Sequence, residues 1–470
     1  MSPSVYISLC LSLTVLLSCS CSRAATASKD GDSTLATFGQ YTLPDTLVAV
    51  TLYGPDSYFL YRDEQMGYQY ELISRFAKDN DVALKMVVAS SLQDMIKMIN
   101  EGKADVIACD VPETKEYNSQ VLHCGPENET HQVLVQRTED GKPVISDVTQ
   151  LPGMDIYVEK DSKYHYRLEN LSKELGGGIH IHPVDADSMA TEDLIEMVVD
   201  GAIPFTVIDS DIARFSSTYY KGIDVTLAVG MEQRGSWAVG NNNRQLARVI
   251  DEWAASTRDD KSAKEIYRRY YVDSKRLLED TESPAVAGSG SGGRISQYDE
   301  IFRRYAGELG WDWKMLAAQA YVESRFDVNQ VSWAGARGLM QLMPRTAAAQ
   351  GLGQDRITDP ELNVKAAVKV IAALDEALAD KVPDRQERLK FILAAYNSGI
   401  GHILDAIAIA DKTGMNPRIW DGNVRKALLL KSNPDYYRDP AVKCGYFKGT
   451  QTVEYVDRVL ETYKVYAAKE

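Results

Sequence analysis

A glutamic acid at the end of an apolar helical stripe is the residue of this sequence best suited to acid–base chemistry. Leu316, Ala320 and Glu323 follow at i, i+4 and i+7, so they share one helix face. If that face is core, Glu323 is partly desolvated, and desolvation raises the pKa of a carboxyl group. A glutamic acid that stays protonated near neutral pH can protonate a leaving oxygen. Because most single glutamates at helix ends are simply solvated, the helix alone leaves both interpretations open.

A loop rich in glycine, methionine and amide side chains follows this helix. Gly335 and Gly338 allow close backbone approach or a positive φ angle. Met340 and Gln341 offer an apolar contact and an amide. This combination suits a sugar that carries an amide group.

Four motifs in order carry a resemblance to a known family. They are Glu323-Ser-Arg-Phe326, Gly335-Ala-Arg-Gly-Leu-Met-Gln-Leu-Met-Pro344, Ala395-Tyr-Asn-Ser-Gly399 and Tyr455-Val-Asp-Arg-Val459. Together they resemble the lytic transglycosylase domain of the soluble-lytic-transglycosylase type, which is related in fold to goose-type lysozyme. The resemblance covers residues 295–470 and implies an all-α, lysozyme-like catalytic domain.

The resemblance implies how a single carboxyl group could suffice. Glycoside hydrolysis normally uses two carboxyl groups, but substrate-assisted enzymes are an exception. The family cleaves peptidoglycan between N-acetylmuramic acid and N-acetylglucosamine with help from the acetamido group. The muramyl 6-hydroxyl then attacks its own C1 and gives a 1,6-anhydro product without consuming water. Glu323 would protonate the leaving oxygen and then accept the proton of the 6-hydroxyl, and Asp327 is interpreted as a surface acid.

The resemblance also assigns substrate-binding roles around the acid. The residues are Ser324 at the acetamido group, Met340, Gln341, Tyr396 and Asn397 along the glycan groove, and Tyr455 hydrogen-bonded near Glu323. Tyr396 also continues the apolar stripe of its helix, so core packing is an equal alternative for that side chain.

Residues 42–275 alternate between strand and helix patterns. Residues 47–52, 84–88 and 104–109 are apolar strand patterns, and Ser90 or Ser91 can cap the helix between the last two. A looser alternation follows, and the chain returns to the first lobe near residue 237. The pattern predicts two α/β lobes around a hinged cleft, with crossings near residues 136 and 230.

This region resembles the family-3 periplasmic solute-binding proteins, which bind amino acids. The resemblance rests on residues 67–72, 102–107 and 234–239. It implies ligand contacts at Asp110, at Lys115 where the family commonly has an arginine, and at Asp209 where the family binds an amine. A lysine lacks the bidentate fork of arginine, which leaves binding of a free α-amino acid open.

The N-terminus is predicted to be a targeting segment. Residues 5–17 form an apolar run too short to span a membrane, followed by Leu16-Leu-Ser-Cys19. This resembles a lipoprotein processing site, which implies cleavage after residue 18, lipidation of Cys19 and a tether over residues 19–41. The alternative is a secretory peptide cleaved after Ala25 or Ala27. Lipidation predicts a cell-envelope protein, anchored at the periplasmic face of the outer membrane.

Composition limits the remaining possibilities. The formal net charge of −15 argues against nucleic acid as a partner. Cys109 and Cys124 can pair in an oxidising compartment, and the scattered histidines and cysteines predict neither a metal site nor a cofactor. Residues 276–294 are predicted to be a flexible linker.

The sequence as a whole resembles the membrane-bound lytic transglycosylases. The expected partners are peptidoglycan glycan strands, a wall-derived peptide or amino-acid-like ligand in the first domain, and the membrane through the lipid anchor. The ligand-sensing domain is predicted to modulate the activity of the lytic domain. The alternatives are a muramidase that uses water and a binding or sensor lipoprotein whose lytic domain is inert.

Overall fold

The computed structural model describes residues 42–54, 56–184, 191–273 and 294–468. The side chains of residues 191–193 and 434 are not described. The predicted leader, the lipidation site and the tether lie outside the described residues, as does almost all of the predicted linker.

The first part of the chain forms an α/β lobe, here called lobe 1. Its elements are β1 (Thr46–Thr51), β2 (Phe59–Tyr61), β3 (Glu64–Met66), α1 (Tyr68–Asp79), β4 (Ala83–Val88), α2 (Leu92–Asn100), β5 (Val106–Pro112), α3 (Lys115–Asn118) and β6 (Val121–Thr130). The strand β1 pairs in parallel with β4 and β5, and the side chain of Ser91 caps α2 by accepting from the Asp94 N–H. The predicted βαβ unit is therefore confirmed.

The chain then enters a second α/β lobe, here called lobe 2. Its elements are β7 (Gln132–Glu139), β8 (Lys142–Pro143), β9 (Asp155–Glu159), α4 (Lys163–Glu174), β10 (His180–Val184), α5 (Thr191–Asp200), β11 (Phe205–Asp209), α6 (Ser210–Ser217) and β12 (Ile223–Asp224). The strand order is β10-β9-β11-β7-β12. Buried aliphatic side chains such as Leu134, Ile156 and Val207 hold the helices on this sheet.

The chain returns to lobe 1 and completes its sheet. The returning elements are β13 (Gln233–Gly240), α7 (Arg244–Thr257) and α8 (Lys261–Tyr271). The first sheet then has the order β4-β1-β5-β13-β6, with β13 antiparallel to both neighbours. The chain therefore passes between the lobes twice, between β6 and β7 and between β12 and β13. The first connection lies before Gln132, ahead of the position near residue 136 that the sequence predicts.

A short hairpin, formed by β2 and β3, extends from lobe 1. Its turn residues Arg62 and Asp63 have φ angles of 51° and 60°. Two-residue hairpin turns with two positive φ angles favour Asn-Gly, and other residues adopt them at a cost in strain. Such strain persists where surrounding contacts fix the conformation.

The C-terminal part is helical. Its helices are α9 (Asp299–Leu309), α10 (Trp313–Ser324), α11 (Pro344–Ala349), α12 (Pro360–Leu378), α13 (Arg385–Ser398), α14 (Ile400–Lys412), α15 (Arg425–Leu429), α16 (Pro434–Tyr437) and α17 (Thr450–Ala467). Asp359 caps α12 ahead of Pro360, and a continuous buried cluster joins the helices. The predicted fold class, a two-lobed α/β domain followed by an all-α domain, is confirmed.

Two further features bear on the predictions. Cys109 and Cys124 are buried and unpaired, so the optional disulfide is not formed. Within the described ranges, none of the helices is both long and apolar enough to cross a bilayer.

Candidate active site

The C-terminal end of α10 carries Glu323 into the interior of the helical domain. Every residue from 315 to 324 is buried, and the helix is surrounded by protein on all sides. Three small residues, Ala317, Ala318 and Ala320, let neighbouring helices approach closely. Glu323 is only 8 % exposed. The expectation of a desolvated carboxyl group is therefore confirmed.

Tyr455 on α17 holds this carboxyl group from one side. Its hydroxyl donates to Glu323 Oε1 at 2.7 Å, and the ring is fully buried. Burial raises the pKa of Glu323, while the Arg62 guanidinium and the Tyr455 hydroxyl counteract part of that rise. The net result is a carboxyl group whose pKa lies above its ordinary value, as general acid catalysis near neutral pH requires.

The loop after α10 is fixed through its backbone by three buried side chains. The Ser324 hydroxyl donates to the Leu339 carbonyl at 2.8 Å, and the Tyr396 hydroxyl donates to the Met340 carbonyl at 2.7 Å. Asn363 accepts from the Met340 N–H at 2.8 Å. Met340 is itself fully buried. The predicted groove residues therefore come together, and their described contacts shape the loop.

Gly338 shows why this loop needs glycine. Its φ is 84°, and an added Cβ would lie 2.5 Å from Asn363 Nδ2 and 2.7 Å from the Ile357 carbonyl oxygen. Asn363 donates to that same carbonyl at 2.8 Å. The sequence analysis did not single out Asn363, because it lies within the apolar stripe of α12.

Gln341 and Asn397 use their side chains in hydrogen bonds within the helical domain. The Gln341 amide donates to the Gly338 carbonyl at 2.9 Å, and Asn397 Oδ1 accepts from the Thr452 hydroxyl at 2.8 Å. Both residues are buried. Their backbone carbonyl oxygens accept hydrogen bonds from lobe 1.

An arginine from lobe 1 occupies this groove. Arg62, in the hairpin turn, donates from Nη1 to the Gln341 carbonyl at 2.6 Å and from Nε to the Asn397 carbonyl at 3.2 Å. Its Nη2 lies 3.1 Å from Glu323 Oε2 and 3.3 Å from Oε1. The guanidinium therefore contacts the candidate acid and the backbone of two predicted groove residues. The sequence analysis missed Arg62, whose partners lie more than 250 residues away along the chain.

The buried Arg62 side chain takes up the position beside the candidate acid. Its Nη2 lies within hydrogen-bond distance of both Glu323 carboxyl oxygens. This arrangement, with Arg62 against Glu323, is the closed form of the site.

The hairpin is seated on the start of α14. Gly399 has a φ of 99°, and a Cβ there would lie 2.6 Å from Asp63 Oδ1. His402 donates from Nε2 to the Leu60 carbonyl at 2.9 Å and accepts at Nδ1 from the Lys431 ammonium, also at 2.9 Å. Burial and Lys431 hold the pKa of His402 well below its ordinary value, so this imidazole is neutral.

Lobe 2 contacts the helical domain at a separate place. Glu196 on α5 accepts from the Thr450 hydroxyl at 2.9 Å and lies 3.3 Å from Lys448 Nζ. The Tyr220 hydroxyl donates to the same carboxylate at 2.7 Å. Each lobe therefore holds the helical domain through its own polar contacts.

Carboxylates gather where the two lobes face each other. One oxygen each from Asp56, Asp110 and Asp211 lies within 4.8 Å of the others. Burial, and the neighbouring carboxylate Asp211, raise the pKa of Asp110 to about 6. Three carboxylate oxygens at this spacing suit an ammonium group. The same oxygens could also bind a hard cation such as Ca²⁺.

The two other predicted ligand residues, Asp209 and Lys115, lie in different surroundings. Asp209 lies beside the cluster and accepts from the Lys163 ammonium and, at 3.2 Å, from the Tyr164 hydroxyl. Lys115 lies at the start of α3 with an exposed side chain. Asp56 and Asp211 were not predicted, because nothing in the sequence pattern places them next to Asp110.

Comparison with known proteins separates the chain into the same two parts. The sequence model of bacterial extracellular solute-binding proteins, family 3, matches residues 48–273. The model of the transglycosylase SLT domain matches residues 300–419.

Relatives cover nearly the whole chain. A protein of Desulfosudis oleivorans named membrane-bound lytic murein transglycosylase F is 31 % identical over 431 residues, which is 90 % of each chain. A protein of the same name from Shewanella halifaxensis is 30 % identical over 429 residues, or 89 % of this chain and 85 % of its own.

Solved structures resemble about half of the chain. The second substrate-binding domain of GlnP from Lactococcus lactis has a TM-score of 0.43 at 15 % identity and covers 49 % of this chain and 97 % of its own. An ABC-transporter binding component from Wolinella succinogenes, solved with lysine, has a TM-score of 0.41 at 20 % identity, covering 50 % and 98 %.

Proposed function

The chain belongs to the membrane-bound lytic murein transglycosylase F family and is a peptidoglycan lytic transglycosylase with a solute-binding domain, and we propose that it leaves 1,6-anhydro-muramyl ends. The observation that carries the proposal is the surroundings of Glu323. In the part of the chain that the structure describes, the side chains acting on the pKa of this carboxyl group are Arg62 and Tyr455, and neither is a carboxylate. Glycoside hydrolases normally use a second carboxyl group, whereas a substrate-assisted route does not require one.

The proposed reaction uses Glu323 twice. Its protonated form gives the proton to the glycosidic oxygen while the muramyl acetamido oxygen bonds to C1, so that the C1–O bond breaks. The 6-hydroxyl oxygen then bonds to C1, displaces the acetamido oxygen and gives its proton to the Glu323 carboxylate. The acid is restored and no water is consumed. Tyr455 holds the carboxyl group in place through both steps.

The groove roles that the resemblance implies remain part of this proposal. Met340, Gln341, Tyr396 and Asn397 would line the path of the glycan strand around the acid. The Ser324 hydroxyl, which contacts the Leu339 carbonyl, would assist the acetamido group from within that loop.

We propose that the solute-binding domain inhibits the enzyme until a ligand binds. Arg62 fills the groove and, as a cation beside Glu323, favours the ionised form that cannot donate a proton. The hairpin belongs to lobe 1, and the contact at Glu196 belongs to lobe 2. A ligand that changes the angle between the lobes therefore cannot leave both contacts intact.

The proposed ligand is an amino-acid-like molecule or wall-derived peptide with an ammonium group. The carboxylates of Asp56, Asp110 and Asp211 would receive that group, with Asp209 beside them. Lys115 would reach a carboxylate of the ligand only after moving inward from its exposed position.

The protein functions in the cell envelope, where its substrate lies. We propose that lipidation of Cys19 anchors it at the periplasmic face of the outer membrane. Globomycin-sensitive processing and palmitate labelling of wild type, both lost in Cys19→Ala, would support the anchor. Processing and secretion of Cys19→Ala at the wild-type size would favour the secretory-peptide alternative.

The test of the activity is mass spectrometry of products released from purified sacculi, with and without soluble wall peptides. Wild type is compared with Glu323→Gln and with Glu308→Gln, a matched change on the exposed side of α9. We expect anhydro-muropeptides from wild type and Glu308→Gln and none from Glu323→Gln. Reducing ends would instead indicate a water-using muramidase. No release by wild type under either condition would indicate a binding protein with an inert lytic domain.

A further inference from the structure

A buried glutamine stands behind the tyrosine that holds the candidate acid. Gln319 lies one helical turn before Glu323 in α10 and is fully buried. Its Nε2 lies 3.2 Å from the Tyr455 hydroxyl oxygen. Its Oε1 is buried and has no hydrogen-bond partner among the described residues. The amide nitrogen therefore has a hydrogen-bond partner, whereas the amide oxygen has none among the described residues.

The two contacts of Tyr455 fix the direction of its hydroxyl proton. A tyrosine hydroxyl has one proton to donate and can also accept. The amide NH₂ of Gln319 has no lone pair for a hydrogen bond, so it donates to the tyrosine oxygen. The hydroxyl proton must therefore point to Glu323 Oε1, where the distance is 2.7 Å.

That direction decides which oxygen of Glu323 can carry the catalytic proton. An oxygen that accepts from Tyr455 is poorly placed to hold a proton of its own, because two hydrogens would then meet. The proton is left to Oε2, whose described contact is with the Arg62 guanidinium at 3.1 Å. Oε2 is also the nearer of the two carboxyl oxygens to the guanidinium that fills the groove, where the glycosidic oxygen would lie.

We propose that Gln319 is a positioning residue, which holds the Tyr455 hydroxyl proton on Glu323 Oε1 and so reserves Oε2 for proton transfer to the substrate. This inference rests on the proposed transglycosylase reaction. An apolar side chain of similar length would fill the same space without leaving a buried acceptor unsatisfied. Sites that sacrifice a local rule of this kind often do so for function.

The test compares Gln319→Met with wild type and with Gln386→Met, a matched change at an exposed position of α13. Each change is made in the full chain, alone and together with Arg62→Ala. The rate of anhydro-muropeptide release is measured against pH, the Glu323 carboxyl is titrated by ¹³C NMR, and the melting temperature is recorded.

We expect Gln319→Met to lower the rate about tenfold, as for the loss of one neutral hydrogen bond in the site. Its melting temperature should equal or exceed that of wild type. The Glu323 titration and the rate profile should both move to higher pH, because Tyr455 becomes a weaker donor to the carboxylate.

A second variant replaces the hydrogen-bond donor at residue 319 with an acceptor. In Gln319→Glu, the new carboxylate accepts the Tyr455 hydroxyl proton and adds a negative charge near Glu323. Both effects should move the Glu323 titration further in the same direction than Gln319→Met does.

A Gln319→Met protein with an unchanged titration and an unchanged pH profile would overturn the assignment. If its melting temperature is also lower than that of wild type, Gln319 only packs. If wild type releases no anhydro product, the proposed reaction fails, but the carboxyl titration still decides the role of Gln319.

Discussion

Replacing Arg62 by alanine should convert the closed enzyme into one that no longer needs a ligand. The change removes the guanidinium but keeps the hairpin backbone, whose Arg62 N–H donates to the Ser398 carbonyl at 2.9 Å. Three side-chain contacts are lost, at the Gln341 carbonyl, the Asn397 carbonyl and the Glu323 carboxylate. The groove then has room beside the acid, and the pKa of Glu323 rises because its cationic neighbour is gone.

The size of the effect follows from these contacts. Removing one partner of a buried ion pair costs about 3–5 kcal/mol when the other stays charged. Glu323 can take up a proton instead, so about 3 kcal/mol is the better figure for the weakened docking of the hairpin. That free energy corresponds to about a hundredfold shift toward the open form. The rate without ligand should rise by up to that factor, with the fully open enzyme as the ceiling.

The assay is the rate of anhydro-muropeptide release from sacculi by the full chain, with and without wall peptides. Arg248→Ala is the matched control, because that side chain is 79 % exposed on α7. Arg62→Lys should be intermediate, since lysine keeps the charge and loses the planar fork. If Arg62→Ala is folded but releases product at the wild-type rate, with and without peptides, the hairpin does not inhibit the enzyme.

Three further predictions follow from the same contacts. Tyr455→Phe should lower the rate at neutral pH about tenfold or more and move the rate profile to higher pH, because Glu323 loses its 2.7 Å donor; an unchanged profile would contradict this. Glu196→Gln should raise the ligand-free rate only about fivefold, since its ion pair with Lys448 is partly exposed; equal rates would mean that lobe 2 does not help to hold the closed form. Burial and neighbouring carboxylates raise the pKa of Asp211 from 3.8 to about 7. The folded state therefore binds more protons than the unfolded chain in that window, so the unfolding free energy of wild type falls as pH rises through it. Asp211→Asn should accordingly be more stable than wild type in urea at pH 8 and no more stable at pH 4, and a gain of equal size at both pH values would exclude this linkage.

The contact of Glu323 with Tyr455, 132 residues further along the chain, was predicted from the family resemblance. The burial of Glu323 was predicted from the apolar stripe of α10 alone, because that information is local. Capping at Ser91 and the strand pattern of β5 likewise depend on neighbours within a few residues. Each of these features can be predicted from one short stretch of the chain.

The closed state could not be predicted, because it depends on contacts between distant segments. Nothing in the Tyr-Arg-Asp-Glu stretch around Arg62 indicates that it meets Glu323, and a turn with Arg and Asp at positive φ is not a typical hairpin signal. Asn363 and Gln319 were missed for another reason. Both lie on buried helices, where a single polar residue among apolar ones gives no sign of its partner.

The free energy of the Arg62 contacts is small enough for the binding of a single ligand to overcome. Moving an equilibrium from one part in a hundred open to one part in a hundred closed takes about 5.5 kcal/mol of differential binding. A ligand that binds only the open form supplies about 4 kcal/mol of such a shift when its concentration is about a thousand times its dissociation constant. The Arg62 contacts, at about 3 kcal/mol, and the weaker contact at Glu196 stay within that limit. A larger apolar plug would close the groove as well, but each buried side chain would add about 1.5–3 kcal/mol for the ligand to overcome. It would also lack a positive charge, whereas the guanidinium both blocks the groove and counteracts part of the rise in the pKa of Glu323.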